Sequence, residues 1–218
     1  MIKKTALWLA LMTFLTFSSY AQQYTAMSDF QVWASGGEIL ILEYIGARKE
    51  IRIPSSILNL PVTTIGNRAF ANAQITCVTI PNSITVIGQG AFENNQLANI
   101  VIPNSVNRIG EEAFAMNLLT NITIPDSVTM IGQRAFAGNL LTSVTIPDSV
   151  IMISAGAFEG NQINIIIIGK NVVLQDYIRN TGERIPVFEN GFDDFYLKHG
   201  AKSGLYTFNN GHWSVLFK

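Results

Sequence analysis

The feature that most constrains the fold of this chain is an internal repeat of 22 residues. Four segments align without gaps, at 76–97, 98–119, 120–141 and 142–163. In each segment an Ile-Pro pair stands at positions five and six, and an Ala-Phe pair at positions sixteen and seventeen. A fixed period of this length is typical of solenoids, in which each repeat forms one coil and buries its core against the next.

The repeat is less regular on both sides of these four segments. An earlier copy contains Ile53-Pro54 and Ala69-Phe70 and carries a five-residue insertion around 56–61. A later copy begins at Asn164 and then decays, because Gly169 stands where the proline is expected. We therefore place the repeats at 53–168.

Alternating side chains predict one short strand in each coil. Leu97, Ile100 and Ile102 alternate with Asn99 and Val101, which is the period of a strand. Successive coils would lay these strands side by side as a parallel sheet, and the proline that follows would end each strand. The Ile-Gly-x-x-Ala-Phe segment predicts a tight turn and a short helical stretch on the opposite side of the coil.

Two columns of residues predict structural ladders inside the solenoid. Phenylalanine recurs once per coil and would stack as an aromatic column, and asparagine recurs where its amide would satisfy buried backbone groups. The members of these two ladders are Phe70, Phe92, Phe114, Phe136 and Phe158, and Asn95, Asn117, Asn139 and Asn161. Because packing explains these positions, we expect none of them to be catalytic.

Written as a consensus, the unit is L-x-x-(I/V)-x-I-P-(N/D)-S-(V/I)-x-x-I-G-x-x-A-F-x-x-N-x. This unit resembles the BspA-type leucine-rich repeats of bacterial surface proteins, including those of treponemes, over about residues 50–170. Ala73 in place of the first Asn and Ser154 in place of the fifth Gly are departures from the pattern. The resemblance implies a leucine-rich-repeat solenoid that uses its strand surface for recognition, as in adhesion.

The first 21 residues read as a secretory signal peptide. Two lysines precede an apolar stretch at 5–17, and Ser19-Tyr20-Ala21 places small residues before a cleavage site between Ala21 and Gln22. The apolar stretch is shorter than the ~20 residues needed to span a bilayer. We therefore predict an exported protein, at the cell surface, secreted or periplasmic, with no membrane span in the mature chain.

A solenoid exposes its core at both ends unless it is capped. Residues 22–52 predict an N-terminal cap, because 30–33 and 39–44 form a hairpin pattern around Gly36-Gly37. Residues 169–218 predict a C-terminal cap made of a short helix and a β-hairpin.

The evidence for the C-terminal cap lies in two patterns. Phe188, Phe192, Phe195 and Tyr196 form a helical stripe, and Asn210-Gly211 is a strong hairpin signal. The same segment could also serve as a partner-binding element or an export signal.

Composition and motifs exclude several classes of function. The net charge is −1 without runs of like charge, which argues against a nucleic-acid partner. Cys77 is the single cysteine, so no intrachain disulfide forms. No metal-ligand spacing, phosphate loop, dinucleotide fingerprint or nucleophile elbow is present, and we predict no catalytic, metal or cofactor site.

The outward strand positions form a candidate binding face without charged residues. They are Thr79, Asn99, Val101, Asn121, Thr123, Ser143, Thr145, Ile165 and Ile167, with Cys77 at the first coil. The sheet would measure roughly 25 Å by 13 Å. That area is smaller than the roughly 800 Å² per partner of a standard interface. We therefore expect modest affinity, multiplied by many copies on a surface.

Three functions remain open at this point. The first is an exported, adhesion-type module that binds a protein or glycan of the host or the envelope. The second is a structural envelope component that docks through its C-terminal segment. The third is a glycan-active enzyme that uses Asp193 or Asp194 with His199, although a paired acid on a helix is more often a solvated face. The sequence leaves the oligomeric state open.

Overall fold

The computed structural model describes residues 25–217, and the predicted signal peptide with its cleavage site at Ala21 and Gln22 lies outside the described residues. The described chain winds as a β-solenoid of coils about 22 residues long. This confirms the predicted leucine-rich-repeat solenoid with parallel strands. No helix in the described part is long and apolar enough to cross a membrane.

The secondary structure consists of short strands and little helix. A 3-10 helix covers Met27–Asp29 and one α-helix, α1, covers Phe192–Lys198. The strands are β1 (Phe30–Ser35), β2 (Glu38–Tyr44), β3 (Glu50–Arg52), β4 (Ser56–Ile57), β5 (Leu60–Ile65), β6 (Cys77–Thr79), β7 (Val86–Ile87), β8 (Arg108–Ile109), β9 (Met130–Ile131), β10 (Ser143–Ile146), β11 (Met152–Ser154), β12 (Ile165–Ile168), β13 (Val173–Gln175), β14 (Tyr177–Ile178), β15 (Arg184–Ile185), β16 (Gly204–Asn209) and β17 (His212–Phe217).

The continuous sheet does not lie where the sequence predicts it. It runs in the order β1-β2-β5-β7-β8-β9-β11-β13 and uses the Ile-Gly segments, which we predicted as turns. The predicted strand row is paired through β3-β6 and β10-β12, with a single bridge between Thr123 and Thr145 in the middle coils. Residues 98–102 do not form a strand.

Glycine explains why the coils pair on the Ile-Gly side. A Cβ added to Gly110 would lie 2.6 Å from the carbonyl carbon of Gly88, and one added to Gly132 would lie 2.5 Å from the amide nitrogen of Glu111. Consecutive backbones therefore approach more closely here than residues with side chains allow.

The predicted short helical stretch is a series of hydrogen-bonded turns. Within each turn one residue has positive φ, for example Gly90 (58°), Glu112 (53°) and Arg134 (54°). Phe92 N–H donates to the carbonyl of Ala113 in the next coil at 2.8 Å. Bonds between coils, rather than bonds within a helix, hold this side together.

The five predicted phenylalanines are buried and stacked along the solenoid axis. Their neighbouring ring centroids are 5.0–5.5 Å apart, with interplanar angles of 5–13°. Tyr44 stacks on Phe70 at the first end, and Phe188 stacks on Phe158 at 4.8 Å at the other. Phe192 then meets Phe188 edge-on and ends the column.

The solenoid extends beyond residue 168, where the sequence placed its end. β13 pairs in parallel with β11, and Phe188 continues the aromatic column. The predicted helical stripe is therefore wrong at Phe188, which belongs to a coil, whereas α1 begins at Phe192. The decayed copy is a coil enlarged by the β14–β15 hairpin, which the sequence did not predict.

The C-terminal helix and hairpin lie over the last coil. β16 pairs antiparallel with β12, and β17 pairs with β16 through the turn at Asn210-Gly211. Phe192 and Tyr196 of α1 are fully buried, and Tyr196 Oη donates to the carbonyl of Val172 at 3.3 Å. This segment covers the apolar end of the solenoid.

The N-terminal hairpin closes the opposite end. β1 and β2 pair antiparallel, and β2 joins the continuous sheet beside β5. Phe30 and Tyr44 are buried against Phe70. The insertion around 56–61 folds as a small hairpin in which β4 pairs with β5.

Candidate functional site

The structure places the predicted binding face on the outside of the solenoid. Val101 is 80% exposed and Ile165 41% exposed, and the Thr, Asn and Ser members are also exposed. Ile167 is half-buried. Between them the alternate residues of the row point inward and are buried, as Ile100, Ile122 and Val144 show.

Few polar side chains on this face are engaged inside the protein. Asn121 Nδ2 approaches Asn99 Oδ1 at 3.5 Å, the long limit of a hydrogen bond. Within residues 25–217, the hydroxyls of Thr123, Ser143 and Thr145 have no hydrogen-bond partner in the protein. These groups are free to donate to or accept from a ligand.

The C-terminal hairpin enlarges the face beyond the repeats. In the antiparallel register Ile167 lies opposite Leu205, which in turn lies opposite Leu216. The neighbouring row continues from Ile165 through Thr207 to Ser214. Because directly paired residues of a sheet point to the same side, these four hairpin residues join the face. They are Leu205, Thr207, Ser214 and Leu216.

Sequence reasoning missed these four residues although it predicted the hairpin. The alternation on both sides of Asn210-Gly211 indicated two strands, but nothing in the sequence indicated which sheet they join. The outward positions of the hairpin and of the last coil both lack Lys, Arg, Asp and Glu. This shared composition was the one indication that the two surfaces adjoin.

Charged residues lie at the borders of the face. At its N-terminal border, Glu50 and Arg52 of β3 pair with β6. Beside Thr145 and Ile167 lies an open depression whose lining includes Asp148 and Lys170. Asp148 Oδ1 accepts a hydrogen bond from the Lys170 amide at 2.8 Å, which fixes the rim of this depression.

The three residues of the enzyme hypothesis each have a structural partner. Asp193 Oδ2 and Oδ1 accept hydrogen bonds from the backbone amides of Val187 and Phe188 at 2.6 and 3.1 Å. Asp194 forms an ion pair with Arg184, and His199 Nδ1 lies 2.8 Å from the carbonyl oxygen of Phe195. The two aspartates therefore join α1 to the segment before it, and the contact of His199 lies within the end of α1.

Burial perturbs one of these carboxyls. Asp193 is 2% exposed, and desolvation raises its pKa to about 6, against the lowering effect of the two backbone amides. Perturbed carboxyls often mark active sites, but they also occur in structural networks. Here the contacts of Asp193 join the last coil to α1, which is a structural role.

The described residues contain no group of three or more His, Cys, Asp or Glu side chains arranged to hold a metal ion. The thiol of Cys77 is free and exposed.

Known proteins share both the repeat and the coil. Residues 48–178 match the BspA type leucine rich repeat region in six copies. The chain belongs to this BspA-type leucine-rich-repeat family. The match extends past residue 168, in agreement with the additional coil described above.

Solved structures of bacterial leucine-rich repeat proteins have a similar fold. The leucine-rich repeat protein of T. pallidum is 31% identical, with a TM-score of 0.61 over 65% of this chain and 69% of its own. A leucine-rich repeat protein from Eubacterium ventriosum is 22% identical, with a TM-score of 0.53 over 75% of this chain and 47% of its own, and it supports the fold alone. No curated protein sequence matches the chain.

Proposed function

We propose that this BspA-type protein is an exported, non-enzymatic module that binds a protein or glycan partner through the uncharged strand face. One observation carries the proposal: seven neighbouring segments present outward positions without Lys, Arg, Asp or Glu. They are β6, residues 98–102 and 120–124, and the paired strands β10, β12, β16 and β17. Within residues 25–217 the hydroxyls of Thr123, Ser143 and Thr145 are unpaired. The charges of the coil lie at other positions, such as Arg68, Arg108 and Glu111.

The size of the face sets the expected strength of binding. Seven segments span ~29 Å, and with strands ~13 Å long they give roughly 400 Å². A standard interface buries roughly 800 Å² per partner, so one copy should bind weakly and attachment should depend on many copies. An adhesion role at a host or envelope surface fits this arrangement.

A substitution within the face tests the proposal. We expect Thr123→Lys with Thr145→Lys to abolish binding of the labelled protein to host cells and to a glycan panel, because two buried, unpaired ammonium groups would oppose any contact. Thr129→Lys is the matched control, since Thr129 is exposed on another side of the coil. Binding that survives the double substitution with an unchanged melting temperature would exclude this face.

The proposed location has its own test. A secreted or surface protein should be cleaved between Ala21 and Gln22, and mass spectrometry of the purified protein reads the new N-terminus directly. Protease added to intact cells should degrade a surface protein and spare a periplasmic one. Resistance on intact cells together with degradation after outer-membrane rupture would exclude an external partner.

The docking alternative is favoured by a second exposed surface. Tyr177 and Ile178 of the β14–β15 hairpin are 50% and 64% exposed, and Ile151 and Val173 nearby along the continuous sheet are 59% and 58% exposed. Covering the core does not require these side chains. An envelope component docking there would explain an apolar surface on an added hairpin.

Point variants separate docking from capping. Deletion of the segment after residue 169 would expose the core, because Phe188, Phe192 and Tyr196 are buried in it. Ile178→Glu leaves the core intact and should displace the protein from its cellular fraction if the hairpin docks. Leu140→Glu, at an exposed apolar residue of another coil, should leave the location unchanged.

A further inference from the structure

The last strand of the four-stranded sheet, β17, has an open edge. The sheet runs β10-β12-β16-β17, and within residues 25–217 no strand pairs with the outer side of β17. An exposed edge of this kind is a template for pairing with another strand. Proteins usually protect such edges with short length, bulges, prolines or charged side chains.

β17 carries none of these protections. It is six residues long, pairs with β16 without a register shift, and contains neither proline nor a charged Lys, Arg, Asp or Glu. The other ends of the sheets differ. β1 has a bulge between Gln31 and Val32, and β13 is three residues long.

The hairpin geometry fixes which backbone groups of β17 are free. The turn residues Asn210 and Gly211 have φ of 51° and 81°, as in a type I′ turn, and the closing pair is Asn209 with His212. In an antiparallel ladder every second pair exchanges hydrogen bonds, so Ser214 also bonds to β16. The N–H and C=O groups of Trp213, Val215 and Phe217 therefore point away from β16.

We infer that the protein forms a two-fold dimer in which β17 pairs antiparallel with β17 of a second copy, centred on Val215. In this register Val215 faces Val215 of the partner subunit, and Trp213 faces Phe217 of the partner subunit. Every free N–H and C=O of the three residues then meets a complementary group. The edge is thus complementary to itself, as the interface of a symmetric dimer must be.

The surfaces beside the edge suit a second copy. Leu216 is 69% exposed and would lie beside Ser214 of the partner subunit, so an apolar side chain becomes partly covered. No Lys, Arg, Asp or Glu of β17 opposes its own copy, and like charges therefore do not disfavour self-pairing. A charged partner strand would find no complementary charge on β17.

The dimer would also join the two uncharged faces into one. Fourteen strand segments at ~4.8 Å spacing extend ~62 Å and give roughly 800 Å², the area of a standard interface per partner. This consequence rests on the proposed function, whereas the pairing itself does not. A protein whose single face is too small for tight binding would reach adequate size by pairing.

Light scattering after size-exclusion chromatography tests the pairing. We expect the protein at micromolar concentration to have twice the mass of one chain. Val215→Pro removes the central donor of each copy while its N–H faces away from β16, so the hairpin is retained. It should raise the dissociation constant at least tenfold, whereas Val215→Ala, which keeps the N–H, should remain dimeric.

A cysteine crosslink locates the contact without relying on the proline variant. Paired residues that exchange hydrogen bonds have Cα atoms about 5.5 Å apart, within the range that a disulfide bridges. With Cys77→Ser as the background, Val215→Cys should form a disulfide-linked dimer on mild oxidation. Leu205→Cys, on β16 and away from the two-fold axis, should stay a monomer in the same gel.

Three results would overturn the inference. A single-chain mass at 100 µM would exclude the dimer. A dimer that persists in Val215→Pro, with no crosslink at Val215→Cys, would place the contact elsewhere. Masses above two chains that Val215→Pro does not reduce would mean an open assembly instead of a closed pair. Failure of the dimer prediction would leave the ligand-binding proposal unaffected, because none of these measurements involves a ligand.

Discussion

The column of buried asparagines allows the same substitution, Asn to Ala, to be compared at two positions, Asn95 and Asn117. Asn95 Oδ1 accepts from the Ile75 amide at 2.9 Å, and its Nδ2 donates to the carbonyls of Phe70 at 2.8 Å and Phe92 at 3.0 Å. Each later asparagine serves its own coil and the preceding coil in the same way. Because Ala73 replaces the first member of the column, Asn95 is the donor that serves Phe70.

Asn117 differs from Asn95 in how its partners are shared. It accepts from the Leu97 amide at 3.1 Å and donates to the carbonyls of Phe92 and Phe114. Asn95 also donates to Phe92, and Asn139 also donates to Phe114 at 3.0 Å. Asn117→Ala therefore leaves one buried group without a partner, the Leu97 N–H.

Asn95→Ala leaves two buried groups unpaired, the Ile75 N–H and the Phe70 C=O. A buried polar group without a partner costs about 1–3 kcal/mol. We therefore expect Asn95→Ala to reduce the free energy of unfolding by about 1–3 kcal/mol more than Asn117→Ala does. Asn121→Ala, at an exposed amide, should change it by less than about 0.5 kcal/mol.

Urea unfolding followed by circular dichroism measures these differences, provided that the slope of the transition is unchanged among the variants. Equal losses for Asn95→Ala and Asn117→Ala would refute the reasoning, since they would show that sharing of carbonyls between coils has no energetic effect. A larger loss for Asn117→Ala would refute it as well.

Three further predictions concern packing, backbone strain and pH. Phe114→Ala, in the middle of the aromatic column, should cost about 3–5 kcal/mol in urea unfolding. Met116 has φ of 57° and is exposed, and Asn94 occupies the same position one coil earlier, so Met116→Asn should raise the stability by up to about 1 kcal/mol. The raised pKa of Asp193 means that the folded state binds its proton more tightly, so this group contributes stability below pH 4 that is lost, by about 3 kcal/mol, as the pH rises through 6. Stability measured from pH 4 to 7 should flatten in Asp193→Asn and keep its slope in the control Asp126→Asn, at an exposed carboxyl of another coil.

The sequence predicts the coil because its 22-residue period corresponds to one turn of the solenoid. A residue that recurs every 22 positions meets its own copy in the next coil, so the phenylalanines must stack and the asparagines must serve successive turns. Which side of the coil forms the continuous sheet depends on how closely neighbouring backbones can approach. Gly88 and Gly110 let backbones touch, and this close approach is visible in atomic distances rather than in the alternation of apolar residues.

The candidate site was predictable where it follows the period and unpredictable where the period ends. Val101 and Thr123 could be placed on the face from their register alone. Leu205 and Leu216 could not, because antiparallel addition to β12 depends on the packing of α1 beneath the hairpin. The extent of the last coil was also underestimated, because twelve residues, which include the β14–β15 hairpin, separate β13 from Phe188.

The absence of charge on the face is informative because charges are placed freely elsewhere in the same coil. Arg68, Glu112 and Arg134 share one turn position, where their side chains vary in sign and their backbone conformation stays the same. Most of the outward strand positions are also exposed, yet over seven segments they hold only Cys, Thr, Asn, Ser, His and aliphatic residues. Packing of the coil does not require that restriction, and solubility would favour charges there. The proposed contact of this face with a ligand would explain why it excludes charge where charge is tolerated.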